Sequence, residues 1–170
     1  MIVNIIGKGL GWETAPTLST EYETWGLTQL LLRRPVDLVI DMNVYADMRW
    51  GINEKEENDK VKKLCPLMNI QYYGLENYPL TEVIDCFQTD YFNSTIDYAL
   101  ALAIYKQANS INLYGINLTQ GTEYKHQKPG VEFWCGIAKG KGIKVTTQEP
   151  TAILKTHDGL LYGYDTKQRI

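Results

Sequence analysis

The stretch Ile2-Val3-Asn4-Ile5-Ile6-Gly7-Lys8-Gly9-Leu10-Gly11 decides the fold. Ile2 to Ile6 is a short apolar run closed by glycine, the pattern of a strand buried on both faces and therefore of a parallel sheet. Working outward, Val36-Asp37-Leu38-Val39-Ile40 is a second such run, bounded by Pro35 before it and Asp41-Met42-Asn43 after it. Ile111-Asn112-Leu113-Tyr114 is a third, closed by Gly115. Ile70 to Tyr73, the segment around Trp25, and Ile143 to Thr146 are weaker strand candidates, because they are shorter or more polar.

Helical patterns lie between these runs. Ser94-Thr95-Ile96-Asp97 has the form of an N-terminal capping box, and Ile96, Leu100, Ala103 and Ile104 follow at helical spacing. Pro129 suits the first turn of another helix, with Val131, Trp134, Cys135 and Ala138 as its apolar stripe and Gly140 and Gly142 as its stop. A third helix is expected from about Glu54 to Leu67, where glutamates precede lysines in the order the helix dipole favours. Strands alternating with helices imply crossover connections. The expected fold is α/β, a three-layer Rossmann-like sandwich with a mostly parallel sheet, as a single domain over residues 1–170.

Composition narrows the function. The chain has 170 residues, 44% of them hydrophobic and 22% charged, so it can bury a core. A formal net charge of -3 gives no field that would gather nucleic acid or acidic lipid, and neither is expected as a partner. No apolar run approaches the ~20 residues that cross a bilayer, and the first residues lack the form of a signal peptide. Cys65, Cys86 and Cys135 are odd in number and widely spaced, which fits a reducing cytoplasm and neither a disulfide framework nor a metal site. Trp12, Trp25, Trp50 and Trp134 hint at the face of a homodimer, although a core must claim some of them.

In open α/β sheets, ligands bind beyond the carboxyl ends of the strands. That rule selects the loop at Gly7, Lys8 and Gly9, where glycines let a backbone approach a phosphate; a plain tight turn would use the same residues. The dinucleotide fingerprint fails, because Trp12 follows and Pro16 interrupts the expected helix, and no Walker A loop is present. Asp41 and Asn43 are placed to hold a ribose or sugar hydroxyl, or simply to cap their own loop. Ser94 and Thr95 open a helix whose unpaired N–H groups favour an anion. Asn117 and Gln127 join them after the third strand, in the cluster Glu123-Tyr124-Lys125-His126-Gln127-Lys128. His126, beside a carboxylate such as Glu123, is the candidate general base; a solvated loop histidine is the simpler alternative. No motif requires a cofactor or a metal, and the hydrolase and metalloenzyme signatures are missing.

The combination Gly7-x-Gly9, Glu23-x-Trp25-Gly26-Leu27, Asp41-Met42-Asn43, Asn93-Ser94-Thr95 with Tyr98 to Ile104, and Leu113-Tyr114-Gly115-Ile116-Asn117 resembles small Rossmann-like proteins encoded by tailed bacteriophages. Gln127-Lys128-Pro129, Gly136 to Ile143 and Leu161-Tyr162-Gly163-Tyr164 extend the resemblance over most of the chain. More distantly, the glycine-rich start and the Ser-Thr helix opening are similar to bacterial sialyltransferases that use CMP-sugars and to pterin diphosphokinase-like proteins. The sialyltransferases usually carry Gly-Pro-Ser where this chain has Gly9-Leu10-Gly11, and Thr-Ser-Gly where it has Asn93-Ser94-Thr95. These resemblances imply a nucleotide or nucleotide sugar as ligand and put a histidine base in the region of His126. The expected function is therefore binding of a nucleotide or nucleotide-derived small molecule at the carboxyl edge of the sheet, with sequestration as its expected role. A glycosyl- or phosphoryl-transferase using a nucleotide donor, and a phage assembly scaffold without ligand, are the alternatives.

Overall fold

Ile2–Ile6 forms β1, and it lies inside the sheet with a parallel neighbour on each side. The computed structural model describes residues 1–43, 52–119, 121 and 123–169, with the side chains of residues 52, 53 and 123 also outside the description. β2 (Glu23–Leu27), β3 (Leu38–Ile40), β4 (Gln71–Tyr73), β5 (Ser110–Tyr114) and β6 (Lys144–Thr147) complete a six-stranded sheet in the order β4-β3-β2-β1-β5-β6. Every pairing in it is parallel. The register puts Ile5 beside both Trp25 and Leu113.

β2 shows why the segment around Trp25 reads weakly as sequence. Glu23 and Gly26 disfavour a strand, yet β1 and β3 flank the segment and Trp25 is fully buried. The neighbours, more than the residues, make it a strand.

α1 (Ile52–Leu67), α2 (Leu80–Phe87), α3 (Thr95–Tyr105) and α4 (Lys128–Gly140) provide the helices. One face of the sheet presents Val3, Ile5, Trp25, Ile40, Ile111 and Leu113 to α3 and α4. α3 is apolar almost all round and buried along most of its length, because it packs against β1, β2 and β3 on one side and against α2 and α4 on others. Its N-terminus carries the expected capping box: Asp97 N–H donates to Ser94 Oγ, while the Asp97 carboxylate accepts from the Ser94 N–H. Pro129 stands at the start of α4, as expected, and Trp134 on that helix packs against the rings of Phe87, Phe92 and Phe133. Trp25 and Trp134 are thus core residues, as a core was expected to claim some of the tryptophans; Trp50 lies outside the described residues.

The opposite face packs Ile6 and Val39 against Leu30, Leu31, Val61 and Cys65. This layer is incomplete. α1 and the 3-10 turn Thr28–Leu32 lie over β2, β3 and β4, and the links from β1 to β2 and from β2 to β3 contain short 3-10 turns. Over β5 and β6 the same face carries half-buried Asn112 and exposed Lys144 and Thr146. A polar ladder runs there, with Asn112 Nδ2 donating to Asn4 Oδ1 at 2.9 Å and Thr146 Oγ1 donating to Asn112 Oδ1 at 2.6 Å. Among the described residues no helix is long and apolar enough to cross a membrane.

Candidate functional site

The chain steps outward from β1 through β2 and β3 to β4, then returns to the other side of β1 as β5. Connections therefore diverge between β1 and β5, and in open α/β sheets such a point leaves a crevice at the carboxyl ends of the strands. A cleft of about 480 Å³ lies there. Gly7, Lys8 and Gly9 line it from the end of β1, Asn43 from beyond β3, Ser94 and Thr95 from the start of α3, Asn117 from beyond β5, and Gln127 from the turn before α4.

The glycines serve the cleft by bringing two loops together. Gly7 N–H donates to Tyr114 O and Gly9 N–H to Gly115 O, both at 2.9 Å, so these two donors extend the β1–β5 ladder instead of facing a phosphate. A Cβ at Gly9 would overlap Asn117 Oδ1 and lie 2.8 Å from Gly115 O. Gly115 has φ 59, and a Cβ there would meet Trp12 Cβ at 2.7 Å. Close backbone approach is the reason for glycine here, with the partner being β5. Arg34 holds the far side of the same loop through Trp12 O, Ala15 O and Pro16 O.

Asn117 is similarly committed: its amide nitrogen donates to Leu10 O at 3.1 Å and to Pro150 O, which ties the loops after β1, β5 and β6 into one rim. Asp41 is buried and outside the lining. Its Oδ1 accepts from Asn43 N–H at 3.2 Å and Asn43 Nδ2 at 2.9 Å, so the reading of Asp41 as an Asx cap holds, and that cap orients Asn43 in the cleft wall.

Among the described residues, charge in the lining comes from Lys8 and from Glu54, in the first turn of α1. Lys8 Nζ donates to Oε1 of the buried Gln29 at 2.6 Å, and Gln29 Nε2 donates to Glu54 O at 3.3 Å. An ammonium thus stands at the end of β1 with its position set from below.

At the α3 side, Asp97 is fully buried beneath the lining residues Asn93 and Ser94. Its Oδ2 accepts from Asn93 N–H at 2.6 Å and Ser94 N–H at 3.1 Å, so the carboxylate already neutralises two of the helix-terminal donors. Burial pushes its pKa up to about 6, against the lowering effect of these hydrogen bonds.

His126 is exposed, on the π-helical turn Glu123–Gln127, and is not part of the cleft lining, whereas its neighbour Gln127 is. The side chain of Glu123 lies outside the described residues.

Thr28 was not legible in the sequence. It lines the cleft directly after β2, adopts φ 52, and keeps its Oγ1 buried without a hydrogen-bond partner among the described residues. A β-branched residue in the left-handed region is a strained arrangement of the kind that persists at binding sites. Glu54 and Asn93 were also missed as lining residues; one sits in a charge run that reads as a solvated helix face, the other in a sequon.

Among the described residues no group of three or more His, Cys, Asp or Glu is placed to hold a metal ion. Cys65 and Cys135 are buried, which pushes their thiols up to about 11 and about 12. Both are poor nucleophiles and belong to the packing.

No protein-family model matches the chain. No curated protein matches it either. Among solved structures it is similar to the sialyltransferase CstII from Campylobacter jejuni in complex with the substrate analogue CMP-3FNeuAc, at 14% identity and a TM-score of 0.40, covering 86% of this chain and 79% of that one. It is similar also to CstII in complex with cytidine-5'-monophosphate, at 15% identity and a TM-score of 0.38, covering 88% of this chain and 80% of that one.

Proposed function

We propose that the protein binds a nucleotide or nucleotide-derived small molecule in the cleft between the carboxyl ends of β1 and β5. The observation that carries this reading is the composition of the wall: among the described residues a held ammonium, Lys8, and a carboxylate, Glu54, stand in a cleft lined also by hydroxyls, amides and glycines and by the aliphatic side chains of Leu27, Ile96, Ile116 and Leu118. An anion with several hydroxyl or amide groups matches that set. A phosphate takes the Lys8 side, where the charge is available, and leaves the N–H groups of Gly7 and Gly9 in the sheet. Asn43, Ser94, Thr95 and Gln127 supply hydrogen bonds for ribose or base. Binding without turnover fits the exposed position of His126 outside the lining.

A thermal-shift panel of ribonucleoside mono- and diphosphates, NAD, ADP-ribose and cyclic nucleotides tests the reading. A ligand at 100 times its Kd stabilises by about 2.7 kcal/mol, a shift of several degrees for a chain of this size. At least one member is expected to raise the Tm, with the rise reduced in Lys8→Ala and retained in His126→Ala. A flat response across the panel defeats the proposal.

A further inference from the structure

Asp97 occupies the junction of the two helices whose N-termini frame one side of the cleft. From α3 its Oδ2 takes the N–H groups of Asn93 and Ser94, which line the cleft. From α4 it meets Gly130, where a Cβ would overlap Oδ2 and lie 3.0 Å from Cγ, so the backbone of α4 closes directly over the carboxylate. Its Oδ1 is buried and has no hydrogen-bond partner among the described residues. Only an ionised carboxylate makes two charge-assisted bonds through one oxygen at full strength; the neutral acid is the weaker acceptor, and no acceptor waits for a proton on Oδ1.

Resting on the binding reading above, we propose that Asp97 is a positioning residue that couples ligand affinity to its own proton. Ionised, it fixes Asn93 and Ser94 in the cleft wall; protonated, it loosens them and the cleft binds less well. Burial puts this proton in play near pH 6. The titratable groups that share its field are Tyr98 on α3 and Cys135 on α4, and burial raises the pKa of both, so both stay neutral through this range. On α4, Lys128 and Glu132 pair with each other at 3.1 Å, and Lys139 is exposed. His126, exposed on the preceding turn, is controlled for with His126→Gln.

The test has two arms. In the first, the backbone amide signals of Asn93 and Ser94 are followed by NMR from pH 8 to 4.5. They are expected to titrate together near pH 6 in the wild type and in His126→Gln, and to stay flat in Asp97→Asn. In the second, the Kd of the ribonucleoside monophosphate giving the largest thermal shift is measured at pH 7.5 and 5.0 for wild type and Asp97→Asn. The ligand's own phosphate titration cancels in the ratio of the two proteins. That ratio is expected to move about tenfold against the wild type at the lower pH. An unchanged ratio in a protein that binds overturns the coupling and leaves the binding reading standing. Failure of the wild type to bind any of the four monophosphates or the wider panel defeats the binding reading and this proposal with it. Should Asp97→Asn not fold, wild-type amides that do not titrate near pH 6 overturn the proposal on their own.

Discussion

Lys8 Nζ lies 2.6 Å from Gln29 Oε1, so the mobile cation at the tip of β1 is pinned by a buried amide from the turn after β2. The pin converts a flexible surface lysine into a placed charge, and a placed charge costs less entropy to use when an anion arrives. Lys8→Ala is expected to lower the unfolding free energy by about 1 kcal/mol, because the side chain is exposed but its hydrogen bond to the buried Gln29 is lost. It is expected to weaken nucleotide binding by about ten- to a hundredfold, the range of a hydrogen bond to a charged group, which exceeds what the fold loses with the Lys8–Gln29 bond. Chemical denaturation and calorimetric titration of the same samples check the split. Equal affinity in wild type and variant would remove Lys8 from the site.

Gly9 and Asn117 are sterically coupled across the β1–β5 rim. Gly9→Ala forces a methyl group onto Asn117 Oδ1 and should cost about 1–3 kcal/mol. Asn117→Ala removes the Oδ1 part of that obstruction, leaving Gly115 O at 2.8 Å from the new methyl, and also releases Leu10 O and Pro150 O. The double variant should therefore be more stable than the sum of the two losses, by at least ~0.5 kcal/mol in a double-mutant cycle. Strict additivity would mean that Gly9 is required by something other than Asn117.

Thr28 combines φ 52, a buried hydroxyl without a partner, and a place in the cleft wall. Relief of the strain and of the orphaned hydroxyl should outweigh the lost methyl burial and the added chain entropy of glycine. Thr28→Gly is thus expected to gain of order 1 kcal/mol in urea unfolding while losing nucleotide affinity. A loss of stability above about 1 kcal/mol would show that the arrangement is not strained.

Asp97 gives the fold a pH dependence of known sign. Its carboxyl releases a proton at about 6 in the folded protein, against 3.8 for the ordinary group. Between those values the native state holds more protons than the unfolded one, so this contribution to stability is present at pH 4, falls as pH rises to about 6, and stays lost above that. Asp97→Asn should be more stable than the wild type at pH 8 by up to ~3 kcal/mol, with the difference shrinking toward pH 4. Guanidinium unfolding at the two pH values measures it; a constant difference would contradict the assignment. The charge that helps shape the cleft is then one that the fold tolerates at some cost.

The strands buried on both faces were legible because β1 and β3 present continuous apolar residues and end in glycine or Asx. The start of α3 was legible because a capping box is a local device with fixed spacing. α2 was not, since it begins after Pro79 with no side-chain cap and owes its placement to the packing of Val83 against the core. The convergence of Gly7, Asn43, Ser94 and Asn117 on one cleft follows from the strand order, which the rule for open sheets anticipates. The partners of Gly7 and Gly9 were not legible, because a glycine that admits a neighbouring loop and one that admits a phosphate look alike in sequence. Thr28 and the unpartnered oxygen of Asp97 were hidden for a related reason: strain and unmet hydrogen bonds are properties of the packed chain, and the residue types alone do not carry them.

The most direct measurement is a chemical-shift map of the labelled protein with the nucleotide that most raises its Tm. Changes concentrated at Lys8, Thr28, Asn43, Ser94, Thr95 and Gln127 are the expected result. Changes confined to another surface, or none at saturating ligand, would contradict the placement of the site between β1 and β5.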